Sequence, residues 1–404
     1  DAALDCMLSE LLENKDFFRL RTELDSAGNK LSKKRLLYYE IMSEMAFGNE
    51  ELSNEHASAF LNQYGKQNND SVNASVLDVM AHNYLQLYQY KEAVEIYGTL
   101  IDKYTNVYDS ATIAGYQNVK ELFGAFENVK PQIVHKTGDC EIKAHRNPFK
   151  HLMIPVRCKA TEDEFIFDTG ANLSTITDSC ATKMGLAIID SDIAVGAAQG
   201  QTIQTKLAVA DSLYVGDMLF ENVVFLVAPA ETMTFPQINL EIHGVIGFPV
   251  IRQMGEIQLH KDGTVFIPET PKDRKLNNLF FDGLIPIVQA FSDNDTLSFV
   301  FDTGAAGSEL SRKYYESHKS EVEQKGTLRK GKRGSAGGMT EIEEYVIPDF
   351  PYAIGTKNAV LPSMPVLLEE YDYHKSYDGS IGQDIISQFN TLIINFKNMY
   401  IDFE

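Results

Sequence analysis

The 404-residue chain contains no tryptophan, only four cysteines and no apolar run close to the ~18 residues that a membrane-spanning helix needs. So few cysteines exclude a small fold that depends on disulfides. Apolar residues make up 44% of the chain and charged residues 23%, which also excludes a disordered polymer. At roughly 100 to 200 residues per domain, we expect two or three folded domains.

Positive charge is also scarce, because 36 Lys and Arg stand against 57 Asp and Glu, a net charge of -21. The acidic excess is present both in the first 130 residues and in the remainder. Nucleic-acid binding requires a basic face for the phosphates. We therefore expect no nucleic-acid partner.

Residues 1–130 show the pattern of a helical region. The first proline of the chain is Pro131, and upstream of it apolar residues recur at three- and four-residue spacing. The clearest part predicts two helices that meet at Gln89-Tyr90, with the small Ala81 and Ala93 on their facing sides. We predict about three helix pairs, the earlier ones near 7–25 and 32–64. This spacing resembles a tetratricopeptide repeat, which implies a protein partner, and the alternative is a plain helical bundle without a binding groove.

From about residue 131 onward the chain changes to short β-branched and aromatic runs separated by Gly, Pro and Asn, which predicts an all-β region. Four sequence blocks occur twice in this region and in the same order, each copy with one Asp-Thr-Gly. Asp168 and Asp302 begin these motifs. We predict two similar β-lobes, 131–271 and 272–404, that arose by duplication.

Each Asp-Thr-Gly follows an apolar strand, Phe165-Ile166-Phe167 or Phe299-Val300-Phe301, and precedes an apolar-Gly block, Val245-Ile246-Gly247 or Ile381-Gly382. This combination resembles the aspartic proteases of the pepsin and retropepsin type, over residues of about 150–404. The residues after the first motif also resemble the bacterial retropepsin-like enzymes. The resemblance implies a bilobal acid-protease β-barrel pseudo-dimer behind a helical repeat-like domain.

By that resemblance the chain is an aspartic endopeptidase, and its substrate is a peptide or protein. Asp168 and Asp302 form the catalytic pair, because two adjacent carboxyl groups share one proton and so supply both an acid and a base. No cofactor or metal is needed. The residues expected to support the two loops are Thr169, Gly170, Thr303 and Gly304.

Two glycine-rich segments lie between motif and apolar-Gly block, one in each lobe. Their positions favour two flap hairpins that close over a bound peptide. An ordinary hairpin turn is the other interpretation of either segment alone. The glycines of these predicted flaps are Gly196, Gly200, Gly334, Gly337 and Gly338.

Several features have more than one interpretation. A peptide-binding or scaffold protein that no longer cleaves is the alternative function. The spacing of Cys140, His145, His151 and Cys158 fits no usual zinc site, and free buried thiols are favoured over disulfides. The basic run 325–333 is typical of a solvated loop. Pro249 removes a backbone donor in the first lobe, so the supporting loops are expected to differ.

One chain carries both motifs, so we expect a monomer rather than a retropepsin-like homodimer. The chain begins with Asp1 rather than Met, and the resemblance is to bacterial enzymes. We therefore expect an extracytoplasmic location, periplasmic or secreted, for which a signal peptide is not visible in the sequence but could have been removed. We also expect the β-lobes to cleave short peptides without residues 1–130.

Overall fold

The structure is a computed structural model that describes residues 2–196, 202–293, 295–335, 338–371 and 375–404. Its contacts divide the chain into two compact units. The first unit contains Asp1–Gln132 with Phe280–Gly283, and the second contains Ile133–Leu279 with Leu284–Glu404. The first is helical and the second is built of sheets, which confirms the predicted α plus all-β fold class.

The described part of the first unit contains seven α-helices and one 3-10 turn, Gly28–Lys30. Four of the helices begin after a side chain that accepts a hydrogen bond from the backbone three residues on, as N-caps do: Asp16, Ser32, Asn69 and Asp109. None of the described helices is long and apolar enough to cross a membrane. The helices are α1 Ala2–Glu13, α2 Phe17–Ala27, α3 Lys33–Ala46, α4 Glu50–Tyr64, α5 Asp70–Gln86, α6 Tyr90–Lys103 and α7 Ser110–Gly124.

The helix pair α5 and α6 lies where the sequence predicts it, with α6 beginning at Tyr90. Ala81 and Ala93 are both completely buried between these helices, and Tyr97 fills the neighbouring space. Three helix pairs are present as predicted, but α7 is a further helix that the pattern did not predict. The tetratricopeptide-like character of the unit stays a prediction.

A short segment from the second lobe, Phe280–Gly283, belongs to the helical unit. The ring of Phe280 is fully buried and lies 5.2 Å from that of Phe17, 4.9 Å from that of Phe18 and 6.3 Å from that of Phe47. The predicted second lobe, 272–404, includes this segment. The helical unit is therefore not made of residues 1–130 alone, and removing them would leave Phe280 without its ring partners.

We predict that Phe280→Ala lowers the free energy of unfolding of the helical unit by about 3 kcal/mol or more, since it leaves a cavity among three rings. Urea unfolding followed by helical circular dichroism measures the change. The matched control is Phe291→Ala, because that side chain is 47% exposed and its loss should cost less than about 0.5 kcal/mol. Equal effects of the two substitutions would contradict this packing.

The first lobe contains sixteen described strands, two short α-helices and two 3-10 turns. The strands are β1 Ile133–His135, β2 Cys140–Lys143, β3 His145–Arg146, β4 Leu152–Cys158, β5 Thr161–Phe167, β6 Ser174–Thr177, β7 Ala187–Gly196, β8 Thr202–Ala210, β9 Leu213–Val215, β10 Met218–Glu221, β11 Val223–Ala228, β12 Thr234–Phe235, β13 Leu240–Glu241, β14 Gly244–Ile246, β15 Glu256–His260 and β16 Thr264–Ile267. The helices are α8 Asp178–Lys183 and α9 Phe248–Gln253, and the 3-10 turns are Ala230–Met233 and Pro236–Ile238.

The second lobe contains ten described strands and three short α-helices. The strands are β17 Leu279–Asp282, β18 Ile285–Ser292, β19 Asp295–Phe301, β20 Glu309–Leu310, β21 Thr327–Ser335, β22 Gly338–Ile354, β23 Lys357–Leu367, β24 Gly379–Ile381, β25 Thr391–Asn395 and β26 Tyr400–Phe403. The helices are α10 Arg312–Ser317, α11 Lys319–Lys325 and α12 Gln383–Ile386.

The two lobes have the same strand order, as the duplication predicts. The sheet of the first lobe includes the path β4-β5-β14-β6-β11-β8-β7, and that of the second includes β18-β19-β24-β20-β23-β22-β21. In both, the strand that leads to Asp-Thr-Gly runs parallel to the strand of the apolar-Gly block. A third sheet, β2-β16-β15-β25-β26, combines strands of both lobes.

Asp163 on β5 joins three parts of the first lobe. Its carboxylate lies 2.8 Å from His243 Nδ1 and accepts a hydrogen bond of 2.9 Å from Lys183 Nζ on α8. Burial would raise the pKa of Asp163, but the hydrogen bonds with His243 and Lys183 outweigh burial and lower the pKa from 3.8 to about 2. The carboxylate therefore stays charged in moderately acidic solution.

We predict that Asp163→Asn destabilises the lobe by about 1.5 to 3 kcal/mol near pH 6. The pKa of Asp163 is lower in the folded state than in the unfolded state. The carboxylate therefore contributes its full stabilisation above the ordinary pKa of 3.8, and this stabilisation is lost as the pH falls through about 2. The stability gap between the wild type and the variant should shrink over this range in urea titrations. The control Asp190→Asn, at an exposed pair with Lys206, should not move the urea midpoint.

Candidate active site

The two Asp-Thr-Gly turns occupy equivalent positions in the two lobes. Strand β5 ends one residue before Asp168, and β19 ends one residue before Asp302. The backbone N–H of Asp168 donates to the carbonyl of Ile246, and that of Asp302 donates to the carbonyl of Ile381, both at 3.0 Å. The apolar-Gly strands therefore fix the point at which each aspartate leaves its sheet.

Reciprocal hydrogen bonds of Thr169 and Thr303 join the two turns. The hydroxyl of Thr169 donates to the carbonyl of Phe301 at 2.7 Å, and that of Thr303 donates to the carbonyl of Phe167 at 3.0 Å. Each hydroxyl also accepts a 3.0 Å hydrogen bond from the other threonine's backbone N–H. Both side chains are fully buried, so water does not compete for these bonds.

The two carboxyl groups face each other across this network. A Cβ added to Gly170 would lie 2.6 Å from Cγ of Asp302, and one added to Gly304 would overlap the carboxyl of Asp168. Only glycine allows each loop to approach the opposite aspartate so closely. The pKa of Asp168 is raised well above its ordinary value, mainly by burial and then by the negative charge of Asp302 and a hydrogen bond with it. Such a pair can hold one proton between two carboxyl groups.

Backbone donors fix the orientation of each carboxylate. Oδ1 of Asp168 accepts a 2.8 Å hydrogen bond from the N–H of Gly170. Oδ1 of Asp302 accepts from the N–H of Gly304 at 2.8 Å and from that of Ala305 at 3.0 Å. Donation of this kind favours the charged form of a carboxyl group, and it opposes the effect of burial.

A pair of buried serines supports the turns from behind. Ser174 Oγ accepts a 3.1 Å hydrogen bond from the N–H of Gly247, and Ser308 Oγ accepts one of 2.9 Å from that of Gly382. Sequence reasoning missed these residues, although each follows its aspartate by six positions, and a comparison of the two copies would have found them. They link each Asp-Thr-Gly loop to the apolar-Gly block of the same lobe.

The supporting loops differ as the sequence predicted from Pro249. In the second lobe Asp384 holds the equivalent place, and it accepts hydrogen bonds from the hydroxyl of Ser308 at 2.6 Å and from its N–H at 2.9 Å. Pro249 has no polar side chain for this contact. It lies in the first turn of α9, where a missing N–H costs little.

Two hairpins occupy the positions of the predicted flaps. Gly196 pairs with Thr202 across β7 and β8, and Ser335 pairs with Gly338 across β21 and β22. Gly334, opposite Met339, belongs to the second hairpin. Gly200 and Gly337 lie outside the described residues. The role of these hairpins in covering a substrate stays a prediction.

The basic run 325–333 is largely exposed, as expected, but the prediction of a loop is wrong, since most of the run forms strand β21. Its neighbour β22 is acidic, so that Lys330 faces Glu343 and Arg329 faces Glu344 in the register. The guanidinium of Arg329 lies 2.7 Å from the carboxylate of Glu344. Opposite charges on facing strands favour this pairing. The lysines and arginines of β21, considered without the glutamates of β22, did not indicate a strand.

The four cysteines and the histidines among the described residues form no metal centre. Cys6, Cys140, Cys158 and Cys180 are all free thiols, as the sequence favoured. Among the described residues, no group of three or more histidine, cysteine, aspartate or glutamate side chains has the arrangement of a metal site. His151 is half-buried, which lowers its pKa, and the charge of Asp302 acts in the opposite direction.

Residues 154–250 match a family model described as aspartyl protease. The match begins in β4 and ends in α9, so it includes Asp168, the first hairpin and the first apolar-Gly block. No curated protein matches the chain. The first lobe is therefore similar to an aspartyl protease domain, and the second lobe repeats its strand order.

We predict that Thr169→Val, which keeps the shape but removes the hydroxyl, destabilises the second unit by about 2 kcal/mol or more. The reason is that the substitution leaves the N–H of Thr303 and the carbonyl of Phe301 buried without this partner. Thermal and urea unfolding followed by near-ultraviolet circular dichroism measure the loss. Thr169→Ser is the control, because it keeps the hydroxyl and should keep most of the stability. Similar losses in both variants would contradict the role of the hydrogen bonds.

Proposed function

We propose that this chain is an aspartic endopeptidase in which Asp168 and Asp302 activate a water molecule against a peptide bond. The observation that carries the proposal is the close approach of the two Asp-Thr-Gly turns, with each glycine against the opposite carboxyl group. The reciprocal threonine bonds support it, because they hold this approach in place. The aspartyl protease match of residues 154–250 supports the same class of reaction.

The proposed mechanism uses one shared proton. The ionised carboxyl group takes a proton from water as the water oxygen bonds to the carbonyl carbon of the substrate. The protonated carboxyl group donates its proton to the carbonyl oxygen, which gives a neutral tetrahedral diol. Transfer of a proton to the amide nitrogen then allows the C–N bond to break, and no covalent intermediate with the enzyme forms.

The two hairpins are proposed to act as flaps. Strands β7 and β21 each lie at the end of their sheet, so the hairpins project from the two lobes as edge elements. Backbone groups in the segments around Gly196 and Gly334 would bond to an extended peptide and reduce the access of water. This favours a peptide in extended form as the substrate.

The remaining parts of the proposal concern assembly and location. We propose a monomer, since one chain supplies both aspartates. We propose that the helical unit is tetratricopeptide-like and binds a protein, and that the chain is bacterial and extracytoplasmic. Light scattering measures the mass in solution and tests the monomer. A pull-down with the full chain, which keeps both parts of the helical unit, tests the binding of a protein. Cell fractionation tests the location.

We predict that Asp168→Asn and Asp302→Asn each reduce peptide hydrolysis by at least about a thousandfold, because neither residue alone performs both proton transfers. Digestion of casein or a peptide library, read by mass spectrometry, measures the loss. Asp211→Asn, at an exposed aspartate, is the control and should retain full activity. An intact wild type without activity would favour the alternative, a peptide-binding scaffold.

The pH dependence follows from the shared proton. Activity should be greatest on the acid side of neutrality, fall at higher pH as the last proton leaves the pair, and fall at very low pH as both groups become protonated. Mixing the Asp168→Asn and Asp302→Asn chains should give no recovery, since each chain forms its own site. Recovery on mixing, or a rate that still rises at pH 9, would contradict the proposal.

A further inference from the structure

A continuous series of hydrogen bonds runs from a guanidinium group to the carboxylate of Asp302. Arg146 Nη1 donates to Oε1 of Gln383 at 2.5 Å, and Nε2 of Gln383 donates to the carbonyl of Thr303 at 2.5 Å. The peptide unit that contains this carbonyl ends in the N–H of Gly304. That N–H donates to Oδ1 of Asp302 at 2.8 Å.

The series has a consistent direction. Each amide accepts a hydrogen bond at its carbonyl and donates one from its nitrogen, so the positive end of each dipole points towards Asp302. Hydrogen bonds in such a series polarise one another, which strengthens the last donation to the carboxylate. Gln383 is 1% exposed, so its bond to Thr303 is shielded from water, while its bond with Arg146 is only partly buried. Arg146 is an exposed residue, so solvent screens part of its charge.

Among the described residues of the first lobe, the position equivalent to Gln383 cannot provide such a series. Phe248 occupies the place that corresponds to Gln383, immediately after the glycine of the apolar-Gly block. A phenyl ring cannot donate a hydrogen bond to the carbonyl of Thr169. The two aspartates share the threonine bonds and a glycine N–H donor, and Asp302 accepts a further hydrogen bond from the N–H of Ala305. The series is therefore an additional difference between their environments.

We propose that Gln383 and Arg146 are positioning residues that keep Asp302 as the ionised member of the pair and leave the shared proton on Asp168. The catalytic role of this arrangement rests on the proposed function. It is consistent with the raised pKa of Asp168, whose causes are burial and the negative charge of Asp302. Asp302 is then the base that takes a proton from water, and Asp168 is the acid.

Other ionisable groups also act near Asp302. Asp168 faces it from the first lobe. The charge of Asp302 also interacts with His151, which lies in the segment between β3, the strand of Arg146, and β4. Asp384 lies behind the same loop, bonded to Ser308. His151, when protonated, would also favour an ionised Asp302. The experiment must therefore separate the contribution of His151 from that of Gln383.

The test compares Gln383→Met, a substitution of similar volume, with the wild type in pH profiles of kcat/KM. Loss of the series should raise the lower apparent pKa of the pair by about 0.5 to 1 pH unit, since the ionised form loses one strengthened hydrogen bond. KM should change by less than about twofold, because no contact with the substrate is removed. Arg146→Met should give a smaller shift, and Arg146→Lys should restore part of it.

The double variant of Arg146→Met and Gln383→Met should shift no further than Gln383→Met, because both residues act through one series. Arg312→Gln, at an exposed pair with Glu316, is the control and should keep the wild-type profile. A wild-type profile in Gln383→Met would overturn the proposal. So would a shift that occurs in His151→Gln and not in Gln383→Met. If Gln383→Met does not fold, the two Arg146 variants decide, because they leave the buried amide in place.

A second readout does not depend on cleavage. The carboxyl carbon of Asp302, labelled with ¹³C and assigned by comparison with Asp302→Asn, should titrate at higher pH in Gln383→Met than in the wild type. A wild type that cleaves nothing would contradict the proposed function, while this titration would still decide the assignment of the proton. An unchanged titration in an active enzyme would contradict the positioning role alone.

Discussion

The structure of the site depends on the buried hydroxyl groups of Thr169 and Thr303, which hold two carboxyl groups closer than their charges would otherwise allow. Each hydroxyl both donates and accepts across the lobes. The repulsion between two ionised carboxylates is avoided when the pair keeps one proton, and the raised pKa of Asp168 reflects this together with its burial. The same threonine hydrogen bonds therefore stabilise the contact between the two turns and bring the carboxyl groups together for the proposed chemistry.

The two lobes share their strand order but differ in a few side chains beside the two aspartates. Two identical environments would leave the proton without a preferred carboxyl group. Gln383 in place of Phe248, and Asp384 in place of Pro249, make the environments unequal without changing the strand order. The asymmetry thus lies in side chains next to the apolar-Gly blocks, whereas the symmetry lies in the backbone.

Local patterns in the sequence predicted the parts of the fold that depend on neighbouring residues. The α5–α6 pair, the repeated blocks and the Asp-Thr-Gly turns all followed from spacing within short segments. The contact of Arg146 with Gln383 and that of Phe280 with Phe17 join residues distant in sequence, and nothing in either segment indicates its partner. Strand β21 was missed because its charges stabilise it only opposite the glutamates of β22.

The central claim is that Asp168 and Asp302 of one chain share a single proton. Neutron diffraction from deuterated crystals near pH 5 measures this directly, since it locates deuterons between carboxylate oxygens. The account predicts one deuteron between the two groups, bonded to Asp168 and directed at Asp302. Two separated carboxylates without a deuteron between them, each paired with other residues, would contradict it.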